Sequence, residues 1–355
     1  MPNDSGPFTF VMAGGGTGGH VIPSIAVARE LKQIGHNVFF IGTRHGMEAK
    51  LVPAAGFDID WIEISGLKRV GLRQTVATMV KLPTSIRAAR RILKRRGVHA
   101  VFSMGGYVAA PVMAAARMLG LSMAIMEPNA IPGATNRWLG RMARRVLLTF
   151  KEAAQYFPGA NIEVTGLPVR QEFFEIADKP AGRLTVLVTG GSQGSRTLNQ
   201  ACEQAWPQLK QFRLIHQTGA TQYEPIASRF ATACVDGEVV PFIPDMPKTF
   251  SEVDVVVCRS GAGAVSELAA AGKPSILVPF PYAADDHQAK NAQALEKIGA
   301  ARLVLDKEFS GDRLIAELTA LTPEKLKAMS AAARTFAKPG AAKRAAELLI
   351  ELAGG

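Results

Sequence analysis

Two patterns of hydrophobic and polar positions alternate along the chain. Short apolar runs, the first of which is Phe8–Ala13, are followed by longer segments such as Ile22–Ile34, in which apolar residues recur every three to four positions. The short runs are typical of buried strands, and the longer periodicity is typical of helices. Strands separated by helices of this length predict a parallel sheet that is covered on both faces.

In the first half, this pattern predicts strands with helices between them. The strands are Phe8–Ala13, Asn37–Ile41, Asp58–Ile64, Ala100–Ser103, Met123–Met126 and Val146–Thr149. The intervening helices include Leu72–Leu82 and Thr84–Arg95, which we expect to be separated at Pro83. A turn-rich segment, 159–182, then interrupts the pattern.

After this interruption the pattern begins again. The predicted strands are Leu184–Thr189, Arg213–Gln217, Glu238–Pro241, Val253–Cys258, Ser275–Pro279 and Ala301–Leu305. A glycine-rich turn follows the first strand of each half. This duplication predicts an α/β protein with two doubly wound, Rossmann-like domains whose parallel sheets face an interdomain cleft. We place the domains at 1–166 together with a C-terminal helix, 338–355, and at 167–337.

The first glycine turn, Gly14–His20, is the strongest single candidate for a functional loop. Its five glycines leave the backbone accessible where helix N–H groups point outward, which favours a phosphate or oxyanion site. The spacing also fits the dinucleotide fingerprint, but the second predicted strand leads to Arg44 without the acidic residue that binds a ribose. Arg44 leaves an NADP-dependent enzyme open, and a purely structural turn is a further alternative.

Composition narrows the class of protein. The chain has 355 residues, of which 48% are hydrophobic and 20% charged, as in ordinary globular proteins, and its length favours two domains. No apolar run is long enough to span a membrane, and the first is too short for a signal peptide, so we expect a location inside the cell. Cys202, Cys234 and Cys258 are too widely spaced to indicate a zinc site or a disulfide framework.

Charge separates the two halves. Residues 1–166 contain 20 Lys and Arg against 9 Asp and Glu, whereas the remainder contains 21 of each, so the net charge of +11 belongs to the first half. Arg87, Arg91 and Arg95 recur every fourth residue and predict one basic helix face opposite apolar positions. Such a face suits an anionic membrane surface or is simply solvated. Nucleic acid is disfavoured, because 68–101 contains no Phe, Trp or Tyr to stack on bases.

Three further motifs have both functional and simpler explanations. Arg259–Glu267 joins a strand to a helix through small residues that let a ligand approach the helix end. Glu267 is placed to bind a ribose diol, or only to favour the helix dipole. Asp58 and Asp60 match a metal-binding D-x-D, although alternating acids at a strand edge are commoner. Asp285-Asp286 has no surrounding ligand cluster except the adjacent histidine.

Taken together, these stretches resemble the MurG family of bacterial peptidoglycan N-acetylglucosaminyltransferases. The resemblance covers nearly the full length, in order, and its combination of motifs is highly specific. It is carried by Ala13–His20, Ser65–Leu67, Met104–Tyr107, Asn129, Thr135-Asn136, Pro168–Arg170, Gly190–Gly194, Phe242-Ile243, Cys258–Glu267, Asp285, Gln288 and Asn291. Two departures are an additional glycine before Thr17 and Met126 in place of the family's usual histidine.

The resemblance implies a GT-B fold and an inverting transfer of N-acetylglucosamine from UDP-N-acetylglucosamine (UDP-GlcNAc). The implied acceptor is the C4 hydroxyl of the muramyl pentapeptide carried on undecaprenyl pyrophosphate, and neither a cofactor nor a metal is implied. The donor-binding positions are Thr17, Gly18, Gly19, Asn129, Arg170, Ser192, Ile243, Ala262, Gly263, Ala264, Val265, Ser266, Glu267 and Gln288. On the acceptor side we expect Gly15, Gly16, Gly105, Gly106 and Tyr107.

His20 matches the family's histidine beside the first glycine loop, and we expect it to be the catalytic base or to position that base. At a helix N-terminus its pKa is expected to fall, which favours the neutral form that accepts a proton. A histidine that only hydrogen-bonds substrate or backbone is the alternative. Glycine-turn N–H groups and Arg170 are expected to stabilise the leaving diphosphate, while bare amides of the first turn hold the acceptor's pyrophosphate.

Because such an acceptor is anchored in a bilayer, the resemblance also implies a peripheral protein at the cytoplasmic face of the inner membrane. Val76, Met79 and Val80, flanked by Arg73 and Lys81, form a candidate interfacial patch. Two competing functions remain open: a related GT-B transferase with another acceptor, and a nucleotide-binding or nucleic-acid-binding protein without catalysis.

Overall fold

Two compact units make up the chain in the computed structural model, which describes residues 6–64, 72–179 and 182–355, with the backbone alone for 72–80. One unit is formed by Met1–Val169 with Gly340–Gly355, and the other by Arg170–Pro339. Each contains one parallel sheet and the helices that connect its strands. The predicted fold class, α/β with two doubly wound parallel-sheet domains, is confirmed.

The first unit has a sheet of seven described strands in the order β3-β2-β1-β4-β5-β6-β7. They are β1 Thr9–Gly14, β2 Asn37–Gly42, β3 Asp58–Trp61, β4 Ala100–Gly105, β5 Ser122–Glu127, β6 Arg145–Leu148 and β7 Ile162–Glu163. The helices between them are α1 Gly18–Gln33, α2 Glu48–Ala54, α3 Leu72–Arg95, α4 Ala109–Met118 and α5 Ala134–Leu139. Since β1 pairs with both β2 and β4, the loops after β1 and β4 flank the point where the strand order reverses.

The second unit repeats this arrangement with six described strands in the order β10-β9-β8-β11-β12-β13. They are β8 Thr185–Thr189, β9 Arg213–Gln217, β10 Gly237–Val240, β11 Val255–Cys258, β12 Ser275–Leu277 and β13 Ala301–Leu303. Its helices are α6 Arg196–Ala205, α7 Tyr223–Phe230, α8 Met246–Glu252, α9 Ala262–Ala270, α10 His287–Lys297, α11 Gly311–Thr319 and α12 Pro323–Phe336. Here the order reverses between β8 and β11.

Buried apolar strands form the centre of each unit. Phe10, Val11 and Met12 of β1 are fully buried, and so are Leu187 and Val188 of β8. Helices on the faces of a parallel sheet bury both sides of a strand, which explains why these sequences are continuously apolar rather than alternating. Each such side chain stabilises the fold by about 1.5–3 kcal/mol relative to an exposed one.

Helix α3 corrects one expectation, because it continues through Pro83 where the sequence predicted a break. Proline removes one helical N–H donor, which bends a helix more readily than it ends it when the rest of the helix is well packed. Beyond the proline, the Thr84 hydroxyl donates to the Lys81 carbonyl at 2.7 Å and the Ser85 hydroxyl donates to it at 2.8 Å. The Ser85 hydroxyl also lies 2.6 Å from the Glu63 carbonyl, which ties this part of the helix to the segment after β3.

The last helix, α13 Ala341–Gly354, packs against α1 of the first unit. Its inner side buries alanine and leucine side chains, namely Ala345, Ala346, Leu348 and Leu349. The Arg344 guanidinium donates to both carboxylate oxygens of Glu163 in β7, at 2.6 and 3.0 Å. This ion pair joins the C-terminal helix to the edge strand of the same sheet.

Several expectations fall outside the described residues. The family-like stretch Ser65–Leu67 is one of them, and so are the side chains of the candidate interfacial patch, Arg73, Val76, Met79 and Val80. Within the described part of the chain, no helix combines the length and the apolar composition needed to cross a membrane.

Candidate functional site

Two glycine loops of the first unit lie side by side where its strand order reverses. Gly16 has a φ of 91° and Gly106 a φ of 83°. A Cβ on Gly16 would lie 3.0 Å from the Tyr107 ring, and one on Gly106 would lie 3.0 Å from the Gly15 carbonyl oxygen. Only glycine accepts both the positive φ and the close approach. The predicted acceptor-side residues are thus brought together: Gly15, Gly16, Gly105, Gly106 and Tyr107.

A buried carboxylate, that of Glu48, holds the first glycine loop. Its Oε2 accepts the Gly16 N–H at 2.8 Å, while its Oε1 accepts the Thr43 N–H at 2.9 Å and the Thr43 hydroxyl at 2.8 Å. The side chain is fully buried, and neither Gly15 nor Gly46 leaves room for a Cβ beside it. The Gly16 N–H therefore already has an acceptor within the protein and is not one of the bare amides expected to hold the acceptor's pyrophosphate. That role stays a prediction for the other amides of the turn.

Sequence reasoning missed Glu48. A glutamate at the start of a short helix usually lies in solvent, where it favours the positive end of the helix dipole. The glycines of this region are the sequence feature that could have indicated Glu48. Gly15, Gly42 and Gly46 all lie so close to the Glu48 side chain that a Cβ at any of the three positions would clash with it.

His20 lies in the first turn of α1, as the sequence predicts. Its Nδ1 lies 3.5 Å from the Gly15 carbonyl oxygen, which is within reach of a weak hydrogen bond. Because the carbonyl can only accept, this contact favours the tautomer with the proton on Nδ1, in which Nε2 carries the basic lone pair. Thr17 precedes the helix with extended dihedral angles, and its hydroxyl makes no capping hydrogen bond.

A second buried carboxylate, Glu127 at the end of β5, holds Asn129. Its Oε1 accepts the Asn129 N–H at 2.9 Å and its Oε2 accepts the Asn136 side-chain amide at 2.8 Å. Burial raises the pKa of Glu127 to about 7, and the hydrogen bonds from Asn136 and Asn129 oppose that rise. Met126, the departure from the family pattern, is fully buried within β5. Asn129 is therefore positioned by groups that the substitution leaves in place.

The second glycine turn joins β8 to α6 in the other unit. Gly191 has a φ of 79° and open space around its Cβ position, whereas Gly194 has a φ of 73° and would push a Cβ into the Thr218 carbonyl. Ser195 begins α6, and its hydroxyl accepts the Leu198 N–H at 3.3 Å. The predicted donor residue Ser192 is exposed at the tip of this turn.

Two side chains secure this turn, and the sequence did not single out the first of them, Gln217. It is buried, donates to the Gly191 carbonyl at 2.8 Å and accepts the Ile243 N–H at 3.1 Å, so it links the turn to the predicted donor-binding residue Ile243. Arg259 donates to the Ser195 hydroxyl at 2.7 Å and pairs with Asp306. The loops after β8 and β11 are held together by this guanidinium.

Glu267 lies in the second turn of α9, which begins at Ala262. The alternative that it only favours the dipole of the helix N-terminus is therefore wrong, since that effect is confined to the first turn. Burial raises the pKa of Glu267 to about 7, and the nearby Arg170 opposes the rise. The Ser266 hydroxyl is buried without a hydrogen-bond partner among the described residues. Buried polar groups of this kind are typical of a ligand site.

Gln288 completes the set of predicted donor residues in this unit. Its side-chain oxygen accepts the Phe280 N–H at 2.9 Å, and its backbone carbonyl accepts the Ser260 hydroxyl at 2.8 Å. Asn291 donates to the Ser260 carbonyl at 3.1 Å, so the start of α10 is tied to the loop after β11. The structure thus brings together two chain segments of the second unit that are distant in sequence.

The metal and dinucleotide alternatives receive no support from the described side chains. Asp60 pairs with Arg95 and Arg96, both at 2.9 Å, and Asp58 lies 3.5 Å from Arg96, so the D-x-D acids are held in ion pairs. Over the described ranges, no group of three His, Cys, Asp or Glu could hold a metal ion. Arg44, which an NADP site would use, stacks on Trp61 at 5.1 Å.

Comparisons with known proteins cover nearly the whole chain. The model of the glycosyltransferase family 28 N-terminal domain matches residues 10–148, and that of the family 28 C-terminal domain matches residues 185–346. A relative from Solibacter usitatus is named UDP-N-acetylglucosamine--N-acetylmuramyl-(pentapeptide) pyrophosphoryl-undecaprenol N-acetylglucosamine transferase. It is 56% identical over 97% of this chain and 96% of its own.

A relative of the same name from Methylococcus capsulatus is 44% identical over 97% of this chain and 98% of its own. Among solved structures, the crystal structure of Acinetobacter baumannii MurG is similar with a TM-score of 0.84 at 35% identity. That match covers 97% of this chain and 100% of the other.

Proposed function

The chain belongs to glycosyltransferase family 28, and we propose that it transfers N-acetylglucosamine from UDP-GlcNAc to undecaprenyl-pyrophosphoryl-MurNAc-pentapeptide. This reaction converts lipid I to lipid II in peptidoglycan synthesis. The fold is of the GT-B type, as in the similar MurG structure. The observation that carries the proposal is Glu267, a half-buried carboxyl group at the reversal point of the second sheet. The adjacent Ser266 hydroxyl is buried and has no hydrogen-bond partner in the part of the chain that the structure describes.

The donor site is proposed to lie in the second unit. Glu267 accepts the ribose hydroxyls, uracil contacts Ile243, and the diphosphate lies at Ser192 and the N-terminus of α9. Helix N–H groups there have no intrahelical acceptor and favour an anion. Arg170, exposed and near Glu267, adds positive charge, and Gln288 contacts the sugar. The remaining proposed donor contacts in this unit come from Ala262, Gly263, Ala264 and Val265. The donor contacts expected for Thr17, Gly18, Gly19 and Asn129 of the first unit stay predictions that rest on the family resemblance.

The proposed chemistry is a single in-line displacement. The acceptor C4 oxygen forms a bond to the anomeric carbon while the bond from that carbon to the UDP oxygen breaks, which inverts the configuration. His20 takes the hydroxyl proton on Nε2, the nitrogen that remains basic when Nδ1–H faces the Gly15 carbonyl. The charge that develops on UDP is stabilised by helix N–H groups and by Arg170.

The first unit is also proposed to approach an anionic membrane surface. On α3, Arg87, Arg90, Arg91 and Lys94 are exposed, whereas Ala89, Ile92 and Leu93 on the other side are buried. Each cation near an anionic leaflet contributes about 1 kcal/mol to binding. Sedimentation with vesicles of phosphatidylcholine, with and without phosphatidylglycerol, tests this part. Binding that does not respond to the anionic lipid would contradict it.

A transfer assay tests the proposed function itself. Purified protein is incubated with labelled UDP-GlcNAc and a short-chain analogue of the lipid acceptor, and the expected product carries one additional β-1,4-linked N-acetylglucosamine. UDP-glucose as donor and an acceptor blocked at C4 serve as controls. Absence of product from a folded protein that binds UDP-GlcNAc would sink the assignment of the acceptor.

A further inference from the structure

We propose that Glu48 is a positioning residue that orients His20 through the Gly15–Gly16 peptide group, an inference that rests on the proposed role of His20. The Gly16 N–H that donates to Glu48 and the Gly15 carbonyl that faces His20 Nδ1 belong to one peptide unit. A trans peptide is planar, and its N–H and C=O point in opposite directions. Fixing the N–H therefore fixes the direction of the carbonyl.

The Glu48 carboxylate is itself well held. Its Oε1 accepts both the N–H and the hydroxyl of Thr43, and the side chain is fully buried. The Thr43 hydroxyl oxygen also lies 3.1 Å from the Tyr107 hydroxyl oxygen. Consequently the carboxylate links the loops after β1, β2 and β4, all at the carboxyl end of the first sheet.

The peptide group is also confined on its other side. Gly16 follows it with a φ of 91° and lies against the Tyr107 ring. A Cβ on Gly106 would lie 3.0 Å from the Gly15 oxygen and 3.4 Å from His20 Nδ1. These contacts restrict the orientation of the Gly15 carbonyl, and a carbonyl 3.5 Å from His20 Nδ1 favours the tautomer with the proton on Nδ1. Successive hydrogen bonds of this kind polarise each other, so the carboxylate also strengthens the carbonyl as an acceptor.

Two variants probe this arrangement from opposite sides of the peptide. In Glu48→Gln, the new NH2 group either faces the Gly16 N–H, which then loses its acceptor, or faces Thr43, which leaves only a neutral amide oxygen to accept the Gly16 N–H. The peptide is released in the first orientation and held more weakly in the second. In Gly106→Ala, the new methyl group presses on the Gly15 oxygen. Ser85→Ala is the control, because it removes a buried hydroxyl of the same unit that donates to Lys81 and Glu63 and makes no bond to the two glycine loops among the described residues.

The first readout is the tautomer of His20, measured by long-range proton–nitrogen correlation on protein with 15N-labelled histidine. The chain has six histidines, and a His20→Gln variant assigns the signal. We expect a proton on Nδ1 in the wild type and in Ser85→Ala. A mixture of tautomers is expected in the two loop variants. An unchanged His20 signal in folded Glu48→Gln and Gly106→Ala would overturn the inference.

The second readout separates positioning from stability. In both loop variants kcat should fall about 10- to 100-fold, the loss typical of a displaced catalytic group. The KM for UDP-GlcNAc should stay within about threefold of the wild-type value, because neither variant alters the proposed donor contacts of the second unit. If Glu48→Gln does not fold, Thr43→Val replaces it, because this variant removes a hydrogen bond that holds the Glu48 carboxyl group without adding an atom beside His20. A wild type without transferase activity refutes the proposed function, whereas the tautomer signals still judge the role of Glu48.

Discussion

The two glycine turns occupy equivalent places in the two units, but different kinds of side chain secure them. The first turn is held by the buried Glu48 carboxyl group, which accepts the Gly16 N–H. The second is held by the neutral Gln217, which donates to the Gly191 carbonyl, and by the Arg259 guanidinium, which donates to Ser195 and pairs with Asp306. The Gly16 amide is therefore already occupied by an acceptor of the protein, whereas at the second turn it is the Gly191 carbonyl that is bound. Equivalent topology does not imply equivalent chemistry.

Replacing His20 by Ala gives the largest expected effect and tests the catalytic side of this contrast. Loss of a general base lowers kcat about 10²- to 10⁴-fold, while donor affinity at the second turn is retained. Single-turnover transfer with saturating UDP-GlcNAc measures the loss. A decrease of less than tenfold would exclude the base and leave His20 with a hydrogen-bonding role only.

Comparing Gly194→Ala with Gly191→Ala shows which glycine of the second turn is required by close packing and which lies in open space. Both have positive φ, but only Gly194 lies against a carbonyl, that of Thr218. Strain alone makes Gly191→Ala cost about 1–2 kcal/mol, and the clash makes Gly194→Ala cost roughly 3 kcal/mol or more. Urea unfolding of each variant compares the free energies of unfolding. Equal losses would show that the turn relaxes around the methyl group.

The stability of the second unit, which contains the second turn, should fall at acid pH because of His216. This side chain of β9 is fully buried, with Nε2 3.0 Å from Asn199 Oδ1, and Asn199 donates to the carbonyl of Thr218. Burial lowers the pKa of His216 from its ordinary 6.5 to about 4. The folded state thus binds fewer protons than the unfolded state.

Because the unfolded state takes up the proton more readily, His216 lowers the free energy of unfolding as the pH falls from 6.5 towards 4, and it has no such effect above about pH 6.5. The decrease amounts to roughly 3 kcal/mol. Denaturant midpoints at pH 7.5 and 4.5 measure the loss, and His216→Gln should show a smaller difference between the two. The same pH dependence in that variant would assign the loss to other groups.

Glu267→Ala tests donor binding in the second unit. Losing hydrogen bonds from the ribose to a charged acceptor weakens UDP-GlcNAc binding by about 1.5–3 kcal/mol. Calorimetric titration with UDP-GlcNAc and with UDP measures it, and both nucleotides should be affected equally because both carry the ribose. A loss confined to UDP-GlcNAc would move Glu267 from the ribose to the sugar.

Much of the site was accessible from the sequence because glycine patterns and short-range motifs carry it. The turns at Gly14–His20 and Gly190–Gly194, and the loop at Cys258–Glu267, follow predicted strands and were found from their composition. The residues that hold these loops were not found. Glu48 and Gln217 act through contacts with segments 32 and 26 residues away, for which a single sequence offers no local signal. The continuous helix through Pro83 was missed because a proline bends a helix without always ending it, and the sequence alone does not distinguish the two outcomes.

By itself, the sequence determined the alternation of strands and helices, the duplication of the doubly wound pattern and the concentration of positive charge in the first half. Hydrophobic periodicity and composition encode these features locally. Only the tertiary structure decided which glycine amide is available and which carboxylates are buried. Those properties depend on what the folded chain places beside each group, since burial and hydrogen-bond partners set both the charge and the orientation of a side chain.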